Sequence, residues 1–486
     1  LYEAGIGLQL FSVLLIADHE QKIMMVLPCG MHYPANNQSK SINMTTTAGT
    51  PASIAAPVSQ SERITIIDSL RGFAILGILL MNIPGFGLPG PAGFDPTVRH
   101  EFGTINFTVW RLVEWIPEGT QRALFSMLFG AGIILFIERQ QKRIEGIRPA
   151  DYFVRRQLWL MFFGLVDVYL LLWWGDILFD YGAYGLIIFT FRKLSPKALI
   201  IAASVCFLMM MLRETRDLYQ DKAMIRKGER AAAIDTTKTK LTLQQKEDLG
   251  AMKEFMESTR HEKKVEKMEK AIRKTTGSYA DLYEFRTSIY LDVLVKYMYM
   301  SIWDVLMFMF LGMAFFKLGI ITGQAPVKIY WLLAIVGLGL GLTISWFRLQ
   351  SLIRYQFNWF EYVKNIQFDL YTVSRTLRSL GIFGLLMLMY RSGVFKWLFA
   401  LMRPVGQMAF TNYLTQSLIC GIIFYGVGFG LYGKLQRYEV YYVVGAVWLL
   451  QIIWSHIWLR YFYFGPLEWL WRSLTYWKKQ PFVKKG

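Results

Sequence analysis

D-S-L-R-G-F-A-I-L-G-I-L-L-M-N-I-P-G-F, residues 68–86, carries two charges at its start, Asp68 and Arg71, and none afterwards. A helix needs about 20 mostly apolar residues to cross the hydrocarbon of a bilayer. This 19-residue run comes close to that, and Pro84, Pro89 and Pro91 then break the helix. The pattern returns at 121–137, 157–174, 176–191, 198–212, 294–316, 329–347, 377–390, 408–430 and 440–459. The expected fold is all-α, a polytopic transmembrane helical bundle of about ten spans. The two spans flanking Trp173-Trp174-Gly175-Asp176 must form a tight hairpin.

Composition leads to the same class. Of 486 residues, 54% are hydrophobic and 18% charged, whereas a soluble domain carries about 25% charge. The net charge of +18 lies between apolar runs rather than along one stripe, which argues against nucleic acid and for a lipid bilayer as the partner. Arg139, Lys142, Arg143, Arg148, Arg155 and Arg156 follow the second span. Alternating the spans puts Arg192, Lys193, Lys197, Lys317, Lys328, Arg391, Lys396, Arg403 and the Lys-rich C-terminus on the same side. The positive-inside rule makes that side the cytoplasm, with both termini in it.

Four regions follow. Residues 1–62 read as a disordered or spurious extension: 1–43 hold neither a span nor a credible signal, Met44 is the expected start, and 44–61 are rich in Thr, Ala, Ser and Pro. Residues 63–212 form an N-terminal transmembrane bundle, 213–290 a polar helical extracytoplasmic insert, and 291–483 a C-terminal transmembrane region. Within the insert, Leu249, Met252, Met256, Val265, Met268 and Ile272 recur at helical spacing, as in an amphipathic hairpin. Residues 348–376, aromatic and basic, suit the headgroup level.

A charge at the bilayer centre costs a few kcal/mol, so those inside spans are informative. Asp167 lies mid-span and Asp304 raises the same question. Asp176 and Asp180 begin the fourth span, where Asp176 meets the outer face and N-capping is its plain explanation. Glu114, Glu118 and Arg122 cluster before the second span, where Glu118 is either a helix cap or a catalytic group. Asp68 and Arg71 stand at i, i+3 and can pair; Glu468 and Arg472, on a short helix opened by Pro466, stand at i, i+4 and can do likewise. Thr411-Asn412-Tyr413 and Thr415-Gln416-Ser417 put several hydrogen-bonding groups in one apolar helix, which glues helices or lines a pathway. Three cysteines and five scattered histidines make no metal-ligand spacing. His100 and His456 read as structural hydrogen-bonders.

R-I-T-I-I-D-S-L-R-G-F-A-I-L-G-I-L-L-M-N-I at 63–83 resembles the opening signature of the YeiB family of bacterial membrane proteins. F-S-M-L-F-G-A-G-I at 125–133, W-G-D-I-L-F-D-Y at 174–181, M-A-F-T-N-Y-L-T-Q-S at 408–417 and G-P-L-E-W-L-W-R-S-L-T-Y at 465–476 are similar to its later ones, in order, so the resemblance runs from about 63 to 483. It implies a multi-pass protein of the bacterial inner (cytoplasmic) membrane. The N-terminal half is also similar to membrane acetyltransferases of the heparan-alpha-glucosaminide N-acetyltransferase type, which carry a comparable D-x-x-R-G helix. That similarity implies transfer of an acyl group from cytosolic acyl-CoA, a co-substrate rather than a bound cofactor, to an extracytoplasmic amine or hydroxyl on a small molecule or an envelope glycan or lipid. Those enzymes use a histidine on the far side, and Val113 to Gln121 offers glutamates instead. A carboxylate is then the expected general base: Asp176, with Glu118 or Asp167. Asp68 and Arg71 are the expected donor-binding pair, and Asp304, Asn412, Gln416, Glu468 and Arg472 pathway or structural polar groups. The alternative is a transporter or efflux protein without covalent chemistry, its buried carboxylates relaying protons, although no inverted repeat is visible.

Overall fold

The computed structural model describes residues 64–142 and 146–484; the expected N-terminal extension lies outside them. Among the described residues every regular element is a helix. The N-terminal half holds α1 (Thr65–Gly87), α2 (Ile105–Trp115), α3 (Thr120–Gln141), α4 (Arg148–Tyr169) and α5 (Leu178–Phe189). Then come α6 (Pro196–Ala232), α7 (Leu243–Ser258), α8 (His261–Thr275) and α9 (Tyr279–Lys317). The C-terminal half holds α10 (Val327–Arg354), α11 (Trp359–Asn365), α12 (Tyr371–Ser392), α13 (Lys396–Gln407), α14 (Ala409–Phe424), α15 (Arg437–Tyr461) and α16 (Pro466–Tyr476).

Each expected span falls on a helix, but the helices are unequal. Among the described residues five stretches are long and apolar enough to cross a membrane: α1, the stretch Ile105–Gln141 containing α2 and α3, α6, α10 and α15. The pair α12 and α13, bent by 119°, would make a sixth. α5 and α14 have only 12 and 16 residues.

Lipid is the solvent that fits the outer helices. Ile201, Leu208 and Leu212 on α6, Leu332, Ile335 and Phe347 on α10, and Tyr442, Leu449 and Ile457 on α15 are all more than half exposed. In water so much contiguous apolar surface would drive association. α1 lies at the centre instead, against α3, α13, α14 and α15. The glycine of its D-x-x-R-G run serves that crossing: a side chain on Gly72 would collide with the carbonyl of Met402, and one on Gly406 with the carbonyl of Asp68. Small residues let two helix backbones touch in this way.

The polar segments gather at two ends. At one, Lys317 donates to the carbonyls of Arg192 and Leu194 at 2.8 and 2.6 Å, Phe153 stacks on Phe189, and α16 packs on α4. These are segments the Lys/Arg bias placed in the cytoplasm. At the other, Lys264 pairs with Asp95 at 2.7 Å, Arg437 with Glu101 at 2.6 Å, and Arg378 donates to the carbonyl of Trp115 at 3.0 Å. Burial pushes the Glu101 carboxyl above its ordinary range, against the opposing pull of Arg437.

Three local expectations change. Residues 213–290 do not begin at a structural boundary, because α6 runs unbroken from its apolar half into its polar half. Within that segment α7 packs mainly on α6, with Met252 over Gly228, and α8 on the turn Gly90–Gly93, so they are not a hairpin packed on itself. The hairpin at Trp173 forms, but its tip is buried: Leu172 and Trp173 are each 2% exposed and Asp176 8%. A 12-residue α5 is ~18 Å long, less than the ~30 Å of the hydrocarbon, and Asp176 just before it is covered by protein.

Candidate functional site

A cavity of about 220 Å³ opens among the ends of α1, α3, α4 and α16. Four arginines line it: Arg71, Arg139, Arg156 and Arg472. Arg71 lies in the second turn of α1 and Arg139 in the last turn of α3, while Arg156 and Arg472 come from within α4 and α16, which pack on each other. Arg71 pairs with Asp68 at 3.5 Å, and Gln407 donates to the other Asp68 oxygen at 3.2 Å. Arg156 lies 3.7 Å over the Trp471 ring, whose N–H donates to the Arg156 carbonyl at 2.9 Å. Arg472 lies over Phe464 at 4.5 Å. Below the arginines the lining is apolar, with Phe125, Leu128, Phe129 and Leu160, and beyond these stand the hydroxyls of Tyr181 and Tyr413.

Glu468 does not make the expected i, i+4 pair with Arg472. Its carboxylate accepts from the N–H groups of Phe410 and Thr411 at 2.8 and 3.0 Å and from the Thr411 hydroxyl at 2.5 Å. It thereby caps α14, whose first N–H groups have no partner within the helix. Burial pushes the Glu468 carboxyl up, against the pull of the Thr411 bonds. A raised folded pKa favours the protonated form, so the linked stability is full below the ordinary carboxylate value and is lost as pH rises through the raised one. Glu468→Gln should flatten that decline in thermal unfolding measured against pH. Glu468→Ala, which removes all three bonds, should cost about 2–4 kcal/mol.

Behind Tyr413 lies an acidic pair. Asp176 accepts from the N–H of Phe179 at 2.9 Å, capping α5, and from the Tyr413 hydroxyl at 3.4 Å. Asp167 is fully buried and faces Asp176 and Ser417 without an ordinary hydrogen bond to either. The two carboxylates expected at separate depths are thus neighbours. Glu118 is held elsewhere, accepting from the Tyr371 hydroxyl at 2.7 Å and from Arg378 at 3.2 Å. Asp304 pairs with Arg122 and Arg375.

Asn412 and Gln416 tie helices together. Asn412 donates to the Val405 carbonyl and Ser455 and accepts from Trp454, while Gln416 bridges the Ile75 carbonyl and Gln451. Neither lines the cavity. No group of three or more metal-ligating side chains occurs among the described residues. Arg139, Arg156, Gln407 and Tyr413 joined the site only in three dimensions. In the sequence the first two carry only a topology signal, and Tyr413 is one of a polar run.

Lipid-facing helices around an apolar core, with a basic cavity that Tyr181 and Tyr413 also line, define a polytopic membrane protein with a built internal site. Within that class the chain belongs to the YeiB-like family. It is 30% identical over 448 residues to the uncharacterized protein YxaH of Bacillus subtilis (strain 168), across 88% of this chain and 98% of that protein. It is 28% identical over 429 residues to the uncharacterized protein YeiB of Escherichia coli (strain K12), across 87% of this chain and 99% of that one. Residues 315–478 match the family described as Protein of unknown function (DUF418). No solved structure matches the chain.

Proposed function

We propose that this protein transfers an acyl group from cytosolic acyl-CoA to an amine or hydroxyl acceptor beyond the membrane. The observation that carries this reading is the cavity itself: four arginines at its mouth, an apolar shaft, and Tyr413 backed by Asp176 at its end. Guanidinium groups suit the phosphates of CoA. The apolar shaft suits the acyl-pantetheine arm, leaving the nucleotide at the mouth. At the end of the shaft the acceptor attacks the thioester carbonyl. Its proton passes to Asp176 by way of the Tyr413 hydroxyl and returns by the same route to the sulfur as the C–S bond breaks, so that CoA leaves as the thiol toward the basic face and Asp176 is again a carboxylate. Acyl-CoA should bind the purified protein at equilibrium without an acceptor, and absence of that binding would remove the reading.

The sidedness that goes with it is a multi-pass bundle in the bacterial inner membrane, the basic end and both termini cytoplasmic. Reporter fusions after Lys142 and Lys484 should then show cytoplasmic activity and a fusion after Lys240 external activity. An external signal at Lys484 would reverse the orientation.

One observation favours a transporter as the second reading. A further cavity, lined in part by Arg122, lies back to back with the first, and the Tyr181 hydroxyl donates to the Arg122 carbonyl at 3.2 Å in the wall between them. Two cavities with so thin a partition suit alternating access as well as a reaction across it.

A further inference from the structure

That second cavity has a volume of about 390 Å³ and lies at the other end of α3 from Arg139. Its most buried part is a triad. Asp304 receives Arg122 at 2.5 Å and Arg375 at 3.0 Å, so two guanidiniums share one carboxylate and a positive charge is left over. The Arg375 and Asp304 side chains are 3% and 5% exposed, whereas Arg122 is 38% exposed. A side chain so open beside two so buried presents its remaining N–H groups to the cavity.

The charge of the facing wall is opposite. Glu214, Asp217 and Asp221 fall at i, i+3 and i+7 on α6, one face of one helix, and all three line the cavity. Arg213 answers Asp217 at 3.4 Å, Glu214 accepts from the Thr372 N–H at 3.4 Å, and Arg348 is engaged with Asp369 at 2.9 Å; α6 thus brings three carboxylates and one guanidinium to this wall. Trp359, stacked on Tyr362 with ring centres 5.0 Å apart, adds an aromatic surface.

We propose that this outer cavity binds a small zwitterion of the α-amino-acid type. Its carboxylate is held by the Arg122 guanidinium and its ammonium by the acidic face of α6 and the Trp359 ring. An anion alone would meet the α6 carboxylates and a cation alone the surplus guanidinium, and like charges brought together penalise the wrong ligand. A planar guanidinium matches a carboxylate, and an ammonium group is attracted to an indole face. The assignment does not rest on acyl transfer, because binding is read with no donor present.

The test is equilibrium binding to the full chain in nanodiscs, first with each of the twenty common α-amino acids. The N-acetyl and methyl-ester forms of the tightest binder follow, each lacking one charge. The expected result is binding of the parent amino acid, at least tenfold weaker binding of either derivative, and at least tenfold loss in Arg122→Gln. Asp304 keeps Arg375 in that variant. Asp217→Asn, at a half-exposed residue whose change leaves the core intact, should weaken binding several-fold, and Arg71→Ala in the other cavity should leave it unchanged. No amino acid binding to the folded protein would overturn the proposal. So would derivatives that bind as well as the parent, or binding that is lost in Arg71→Ala and kept in both Arg122→Gln and Asp217→Asn.

Discussion

Arg71→Ala should abolish acyl-CoA binding while the protein remains folded. The side chain is 32% exposed and its contact with Asp68, at 3.5 Å, is long for an ion pair. Asp68, 10% exposed, keeps the Gln407 hydrogen bond when the guanidinium is removed, so the change should cost about 1–3 kcal/mol of stability. The same guanidinium against a phosphate in a confined cavity is a charge-assisted contact whose loss costs about 2–5 kcal/mol, or roughly 30-fold or more in affinity. Arg71→Lys should recover part of the binding, since it keeps the charge and loses the fork. Thermal unfolding measured beside a binding isotherm separates the two effects. Unaltered acyl-CoA binding in a folded Arg71→Ala variant would take this residue out of the site.

The second large effect is expected at the end of the shaft. Asp176→Asn keeps the shape of the side chain and the oxygen that accepts from the Phe179 N–H, but it can no longer take a proton. A positioned base contributes about 10²–10⁴-fold to rate, so the barrier should rise by roughly 3–5 kcal/mol with donor binding unchanged. Tyr413→Phe removes the hydroxyl between the cavity and Asp176 and should show the same pattern. Glu118→Gln should leave the rate within a few-fold, because Glu118 is occupied by Tyr371 and Arg378. A normal rate of acyl transfer in Asp176→Asn would show that another group takes the proton.

Much of this arrangement was legible along the chain. The helices are, because an apolar run about 20 residues long has few alternatives. Asp68 and Arg71 stand out because charges at the edge of such a run need a reason. Burial was not legible: hydropathy measures how long a segment is, not what covers its end, so the tip at Trp173 and Asp176 looks like an outer loop in the sequence and is covered by protein in the structure. Arg139 and Arg156 look the same in sequence as any basic residues that set topology, and only the packing of α16 against α4 turns them toward one cavity. The Glu468 cap joins residues 57 and 58 positions apart, and no local spacing reports such a contact. Gly72 is the converse case. It sits in a run associated with chemistry, yet what it provides is room for the backbone of α13.

The most direct test of the central claim is the purified protein in liposomes with labelled acetyl-CoA supplied at the arginine-lined face and candidate acceptors at the other. The account predicts that label appears on an acceptor and that free CoA is released in equal amount, with both lost in Asp176→Asn. Proton-coupled movement of a solute across the membrane, with no CoA released and no label transferred, would contradict it and establish the transporter reading instead.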